Sequence, residues 1–214
     1  KKKVVYIAQS AEGVAEYLYM FFKNWKDKNY ENILIVSQDY KEQLERFKPY
    51  TSNIYIIPMI REIELKNDIK AIYKVRKILK QIKPDIVYLH SSKAGAIGRI
   101  ALAFNFRTKI FYNAHGWYFN AQISDKKKKI FALIEKMLAL KTNKIINISK
   151  SEYESALEYK IASERKMCVI ENGIEFTKFK NNDKNREETR KKYNIKTNEI
   201  LIGEVGRLSQ QKDP

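Results

Sequence analysis

The chain has 214 residues, 44% of them hydrophobic and 31% charged, and its 42 Lys and Arg against 25 Asp and Glu give a net charge of +17. That apolar share excludes a disordered tail, and the length suits one full domain with the beginning of a second. No run approaches the ~18 uncharged apolar residues of a membrane-spanning helix, and Cys168, the only cysteine, excludes an internal disulfide and fits a reducing compartment.

Lys1, Lys2 and Lys3 before an apolar run imitate a signal peptide, but Gln9, Ser10 and Glu12 break the run early, so a mature cytoplasmic start is expected. Short apolar runs rich in Val, Ile and Tyr recur at residues 4–8, 33–36, 54–57, 86–89, 110–112, 145–148 and 168–170. Most are apolar without alternation, the pattern of strands buried on both faces in a parallel sheet. Amphipathic stretches between them predict helices over 14–26, 68–81, 94–104, 127–140 and 151–159. Pro84 separates the second of these from the next strand, where it ends a helix without harming the sheet. Repeated strand–helix alternation predicts a doubly wound parallel α/β sheet.

After Ile170 the texture changes. Residues 181–192 are polar and highly charged, as in a surface helix or linker, and 199–205 read as a new strand before Gly206. A strand with nothing after it cannot bury its own side chains. The expected division is therefore a domain over 1–196 and, over 197–214, the first strand and loop of a truncated second domain.

The seven glycines and two histidines fall at informative places. In open parallel sheets ligands bind at the carboxyl ends of the strands. Gly13, His90, Gly95, Gly98, His115, Gly116 and Gly173 all follow predicted strands at that rim. Each has a plain structural reading as well. Gly13 and Gly173 supply turn freedom or face a ligand, Gly95 and Gly98 let a helix pack closely on the sheet, and Ser91 or Ser92 caps that helix. Two histidines at neighbouring strand ends favour a site, and Trp117, Tyr118 and Phe119 after a glycine suggest a binding lip. The residues lack zinc-ligand spacing, a Walker loop, a dinucleotide G-x-G-x-x-G and a G-x-S-x-G elbow. Helix N-termini at the rim remain, and these suit phosphate or another anion.

At these positions the sequence resembles the retaining glycosyltransferases of family 4, whose GT-B architecture places two Rossmann-like domains face to face. The resemblance is carried by the turn at Gly13, by the stretch from His90 through Ser91, Lys93, Gly95 and Gly98 to Arg99, and by Asn113, His115, Gly116, Trp117 and Phe119. It continues through Ser149 and Glu152, through Asn172 and Gly173, and through Gly206, Arg207 and Lys212. Within the family it is similar to the bacterial capsule, lipopolysaccharide and exopolysaccharide branch. The resemblance implies the acceptor-side half of an enzyme that moves a sugar from a nucleotide-sugar donor, with retention, to a lipid-linked glycan. It implies His115 as the catalytic-site residue near the donor sugar. Gly13, His90, Ser91, Lys93, Gly116, Trp117, Asn172 and Gly173 would meet substrate, and Arg207 and Lys212 would grip the donor diphosphate. No cofactor and no metal are implied, because fixed cations and amide dipoles stabilise the leaving diphosphate.

The pattern also departs from the family. Glu12 stands where a second glycine is common, Glu175 stands where the Asn-Gly motif usually has aspartate, and the paired glutamates of the donor half lie outside 1–214. The chain alone is expected to be catalytically incomplete. Lys126, Lys127, Lys128 and Lys129 open an amphipathic stretch and read either as a solvated helix start or as a contact with an anionic inner membrane face. Two other readings stay open: a GT-B nucleotide-sugar epimerase, and a basic nucleic-acid-binding module, for which no base-reading motif is present.

Overall fold

Each apolar run overlaps one strand: β1 (Lys2–Ala8), β2 (Tyr30–Val36), β3 (Asn53–Ile56), β4 (Ile86–His90), β5 (Lys109–Asn113), β6 (Lys144–Asn147) and β7 (Met167–Val169). In the computed structural model, which describes residues 1–176, 183–203, 205 and 206, all seven pair in parallel in the order β3-β2-β1-β4-β5-β6-β7. The expected helices form as α1 (Gly13–Asn24), α3 (Leu65–Ile82), α4 (Ser92–Ala101), α5 (Asp125–Ala139) and α6 (Lys150–Glu158); a short α2 (Leu44–Phe47) follows a 3-10 turn at Gln38–Gln43. The chain divides into two compact units, Lys1–Asn172 and Gly173–Pro214.

The first unit is a Rossmann-like, doubly wound sheet, and its register explains which side chains share a face. Val5 and Ile7 of β1 lie opposite Val87 and Leu89 of β4, while Tyr6 and Ala8 lie opposite Tyr88 and His90. Alternation then sends the first set to one face and the second to the other. Val5, Ile7, Val87 and Leu89 form one core cluster with Ala71 and Val75 of α3, Ala94 and Ile97 of α4, Ala132 of α5 and Ala156 of α6. Tyr6, Ala8 and Tyr88 pack with Val14, Leu18 and Phe22 of α1 and Phe47 of α2. His90 therefore points to the α1 face.

Helix α3 stops where Lys83 turns left-handed (φ 53°) and donates its N–H to the Leu79 carbonyl, immediately before Pro84. Helix α4 lies unusually close to the sheet. A Cβ at Gly95 would stand 2.3 Å from the Tyr112 ring, and one at Gly98 2.3 Å from Leu89. The close-packing reading of these two glycines is the one the geometry requires.

β1 leads leftward to β2 and β4 leads rightward to β5, so the strand order reverses between β1 and β4. At such a reversal the loops diverge and leave a crevice at the carboxyl rim. In the second unit, α7 (Asp183–Lys192) buries none of its side chains, matching a polar surface helix. The strand expected over 199–205 does not form at 199–203 or 205, where Ile200 and Ile202 are about nine-tenths exposed. A lone extended segment has no ladder to join.

Candidate functional site

The first strand end is tied down by its neighbours. The Ser37 hydroxyl donates to the Gln9 carbonyl at 2.6 Å, the Tyr40 hydroxyl to the Ser10 carbonyl at 2.6 Å, and the Gln43 amide to the Ala11 carbonyl at 2.9 Å. These bonds hold residues 9–11 by their carbonyl side and bring the chain to Gly13, the exposed first residue of α1. A Cβ there would meet open space, so the glycine is not required by packing within this chain.

One turn into α1, Tyr17 reaches across the crevice. Its hydroxyl lies 3.2 Å from that of Tyr88, and its ring meets the His115 ring edge-on at 4.8 Å. Burial raises the pKa of both tyrosines, so both hydroxyls stay protonated.

His90 ends β4 and His115 follows β5. The β4–β5 register sets His90 beside Asn113, two residues short of His115, and the intervening chain must reverse sharply. It does so through His115 itself, at φ 52°, and Gly116, at φ 114°, a conformation suited to glycine. The Asn113 carboxamide oxygen accepts the His115 N–H at 2.9 Å and holds the turn. His115 Nε2 is thereby brought 3.0 Å from His90 Nδ1, with the two rings stacked at 5.3 Å.

His90 is fully buried between Tyr6, Tyr88 and Tyr17. Burial, with His115 beside it, holds its pKa well below the usual histidine range, and burial alone lowers that of His115 to about 4. Both rings are neutral at pH 7. His115 is the member that solvent reaches, and it offers a hydrogen-bonding, uncharged imidazole at the rim.

Several expected contacts are arranged differently. His90 cannot touch a substrate while fully buried; it supports His115 instead. Lys93 points to α3, where its ammonium sits 2.6 and 2.7 Å from the two carboxylate oxygens of Asp68. Ser91 occupies the N-cap position of α4 at φ 75°, but its hydroxyl makes no capping bond. The aromatic lip divides: Trp117 and Phe119 are core and stack on each other, and only Tyr118 is exposed. The reason is the Trp117 indole N–H, which finds two inner acceptors at 3.1 Å, the Asn147 side chain and the Glu152 carbonyl. Glu152 in turn completes a cap with Ser149: the Ser149 hydroxyl accepts the Glu152 N–H, and the Glu152 carboxylate accepts the Ile148 N–H.

Asn172 ends the first unit beyond the edge strand β7, and Gly173 begins the second; both are exposed. Arg207 and Lys212 lie outside the described residues. Tyr17 and Tyr88 were not singled out as site residues, although the spacing contains them. Tyr88 is two before His90 on a strand, and Tyr17 is four after Gly13 on a helix, so each shares the face of a residue already marked. Two open cavities, of about 310 and 470 Å³, lie among the helix C-termini at the opposite, amino-terminal rim of the sheet and include none of these side chains. Among the described residues no cluster of three or more His, Cys, Asp or Glu is placed to hold a metal ion.

Comparison with known proteins adds a lineage to this geometry. Residues 11–178 match the model of Glycosyltransferase Family 4. The capsular polysaccharide biosynthesis glycosyltransferase CapM of Staphylococcus aureus is 32% identical over 186 residues, covering 85% of this chain and 47% of that protein. The Escherichia coli UDP-Gal:alpha-D-GlcNAc-diphosphoundecaprenol alpha-1,3-galactosyltransferase is 29% identical over 160 residues, covering 75% of this chain and 41% of its own length. The chain thus spans a little under half of these relatives. Among solved structures, Anabaena HepE in complex with UDP superposes with a TM-score of 0.68 at 16% identity, over 90% of this chain and 50% of that one; at that identity the likeness is one of fold.

Proposed function

Because the chain belongs to glycosyltransferase family 4, we propose that it is the acceptor-side domain of an enzyme that transfers a sugar from a nucleotide-sugar donor, with retention, to a lipid-linked glycan in the biosynthesis of a bacterial surface polysaccharide. The observation that carries this reading is the neutral His115 held at the carboxyl rim of the switch point by His90 and Asn113.

An imidazole there that stays neutral at pH 7 can hydrogen-bond a sugar hydroxyl without adding positive charge beside an oxocarbenium-like centre. In the reaction the bond from the sugar C1 to the diphosphate oxygen breaks. The acceptor hydroxyl oxygen bonds to C1 on the same face, and its proton leaves with the nucleotide diphosphate. Negative charge grows on that leaving group, and cations fixed in advance lower the barrier most when they meet the developing charge. Arg207 and Lys212 are proposed for that part, and the open approach over Gly13 for the diphosphate. No metal is then needed in the step.

Acceptors of the kind named for the E. coli relative are anchored in a membrane. The reading therefore places the protein in the cytoplasm, peripheral on the inner membrane face; no helix among the described residues is long and apolar enough to cross a membrane.

The test is transfer of labelled sugar from nucleotide-sugars to a polyprenyl-diphosphate-linked GlcNAc acceptor. It compares residues 1–214 with the same chain joined to a family 4 donor-binding domain, and the product's anomeric configuration is read by NMR. Transfer with retention by the joined protein alone, reduced by His115→Ala, is expected. Transfer by residues 1–214 alone, an inverted product, or no transfer from any nucleotide-sugar would overturn the proposal.

A further inference from the structure

Helix α5 buries a narrow face and leaves an apolar one bare. Ala132, Glu135 and Ala139 point into the body, whereas Ile130, Leu133, Ile134, Met137 and Leu140 are exposed, Leu140 by 81%. At 100° per residue these five fall within an arc of roughly 120°. Lys129 and Lys136 border the arc on one side, Lys127 borders it on the other, and Lys126 and Lys141 stand at its two ends. The bare stripe continues onto the loop before β5, where Phe106 is 86% exposed and the Lys141 ammonium sits 3.4 Å from its ring centre.

Among the described residues of α5 itself, no carboxylate interrupts the stripe beyond the first turn. Asp125 pairs with Lys128 at 3.5 Å, and Glu135 is turned inward onto Arg99. Lys128 is thus drawn away from the set of four lysines expected to act together, and Lys136 and Lys141 take its place along the stripe.

We propose that α5 and the Phe106 loop form a docking surface for an anionic phospholipid bilayer, on which the helix lies in the plane of the interface. The apolar stripe would enter the acyl boundary, and the lysines on both edges would reach the phosphate headgroups, the arrangement that an in-plane amphipathic helix requires. The charges also decide against the simplest competing occupant. In an isologous pair of copies the stripe would meet itself, bringing the bordering lysines of one copy against those of the other. An acidic lipid surface instead complements both borders at once, and the chain's +17 acts in the same direction.

The inference does not depend on the sugar chemistry, and its readout involves none. Residues 1–214 would be sedimented with vesicles of phosphatidylcholine, with and without phosphatidylglycerol. A dye sensitive to polarity would be placed through Leu133→Cys in a Cys168→Ser background. Binding to the anionic vesicles alone, with a blue shift of the dye, is the expected result. Replacing Lys126, Lys127, Lys129 and Lys136 by Gln should lower partitioning by roughly a thousandfold at low salt. The exposed pair Leu133→Gln and Met137→Gln should abolish the binding that survives high salt, with an unchanged thermal melt showing that the fold persists. Equal binding to neutral vesicles, unchanged binding after either set of substitutions, or a blue shift that grows with protein concentration without vesicles would overturn the proposal, the last by pointing to a second copy.

Discussion

His90 Nδ1 and His115 Nε2 are 3.0 Å apart at the ends of adjacent strands, and one proton must lie between them. His90 Nε2 is buried with no hydrogen-bond partner. If His115 donated, His90 would carry its own proton on that nitrogen, leaving a buried N–H without an acceptor, the rarer kind of orphan. The arrangement that avoids this has His90 donating from Nδ1 and His115 protonated on Nδ1. His115 then presents an N–H donor, suited to a sugar oxygen. Imidazole 15N shifts should show His115 as the Nδ1–H tautomer near pH 7. In His90→Phe that preference should be lost while the fold remains. An Nε2–H form of His115 in the unaltered protein would show that the donor runs the other way.

Burial of this pair should make the fold sensitive to acid. The ordinary histidine pKa is 6.5, and burial lowers that of His115 to about 4. Between these values the unfolded chain binds a proton that the folded chain refuses, so stability is full above about pH 6.5 and falls as the pH drops toward 4. The rings in contact with the pair are those of Tyr6, Tyr17 and Tyr88, whose hydroxyls burial keeps protonated, so they offer no counter-charge. The shift corresponds to about 3 kcal/mol at most. Urea unfolding at pH 7 and pH 4.5, compared between the unaltered protein and His115→Asn, isolates this part from the carboxylates. A smaller loss of stability on acidification in the variant is expected; equal losses would mean that His115 does not resist protonation.

How much of this was legible beforehand depends on whether a feature is local. The seven strands were visible because a parallel sheet buries both faces of each strand, so apolar runs show without alternation. The rim also followed from where strands end, which is why His90, His115 and Gly116 stood out. What those residues do could not be read, because it depends on partners far along the chain. Lys93 is neutralised by Asp68, 25 positions earlier, and Trp117 is drawn inward by Asn147 and Glu152. The turn and short helix between Gln38 and Phe47 show no period at all. They owe their place to bonds from Tyr40 and Gln43 to the carbonyls before α1.

The same dependence on distant partners governs Arg99, the last residue of the stretch from His90 that carries the family resemblance. Its guanidinium is enclosed on the far face of the sheet. It lies 3.9 Å over the Tyr112 ring, donates to the Gly95 carbonyl and pairs with Glu135 at 2.8 Å, while the Tyr112 hydroxyl donates to the other Glu135 oxygen at 3.0 Å. This network joins α4, α5 and β5 behind the rim. Removing one member strands the other as a buried charge, at a cost of about 3–5 kcal/mol, whereas replacing both with apolar groups of similar size is often neutral. Arg99→Met and Glu135→Leu should therefore each destabilise strongly, and the double variant should recover most of the loss. A double-mutant cycle by denaturant unfolding checks this. Simple addition of the two losses would show that the pair is not coupled, and that stacking on Tyr112 alone holds α4 against the sheet.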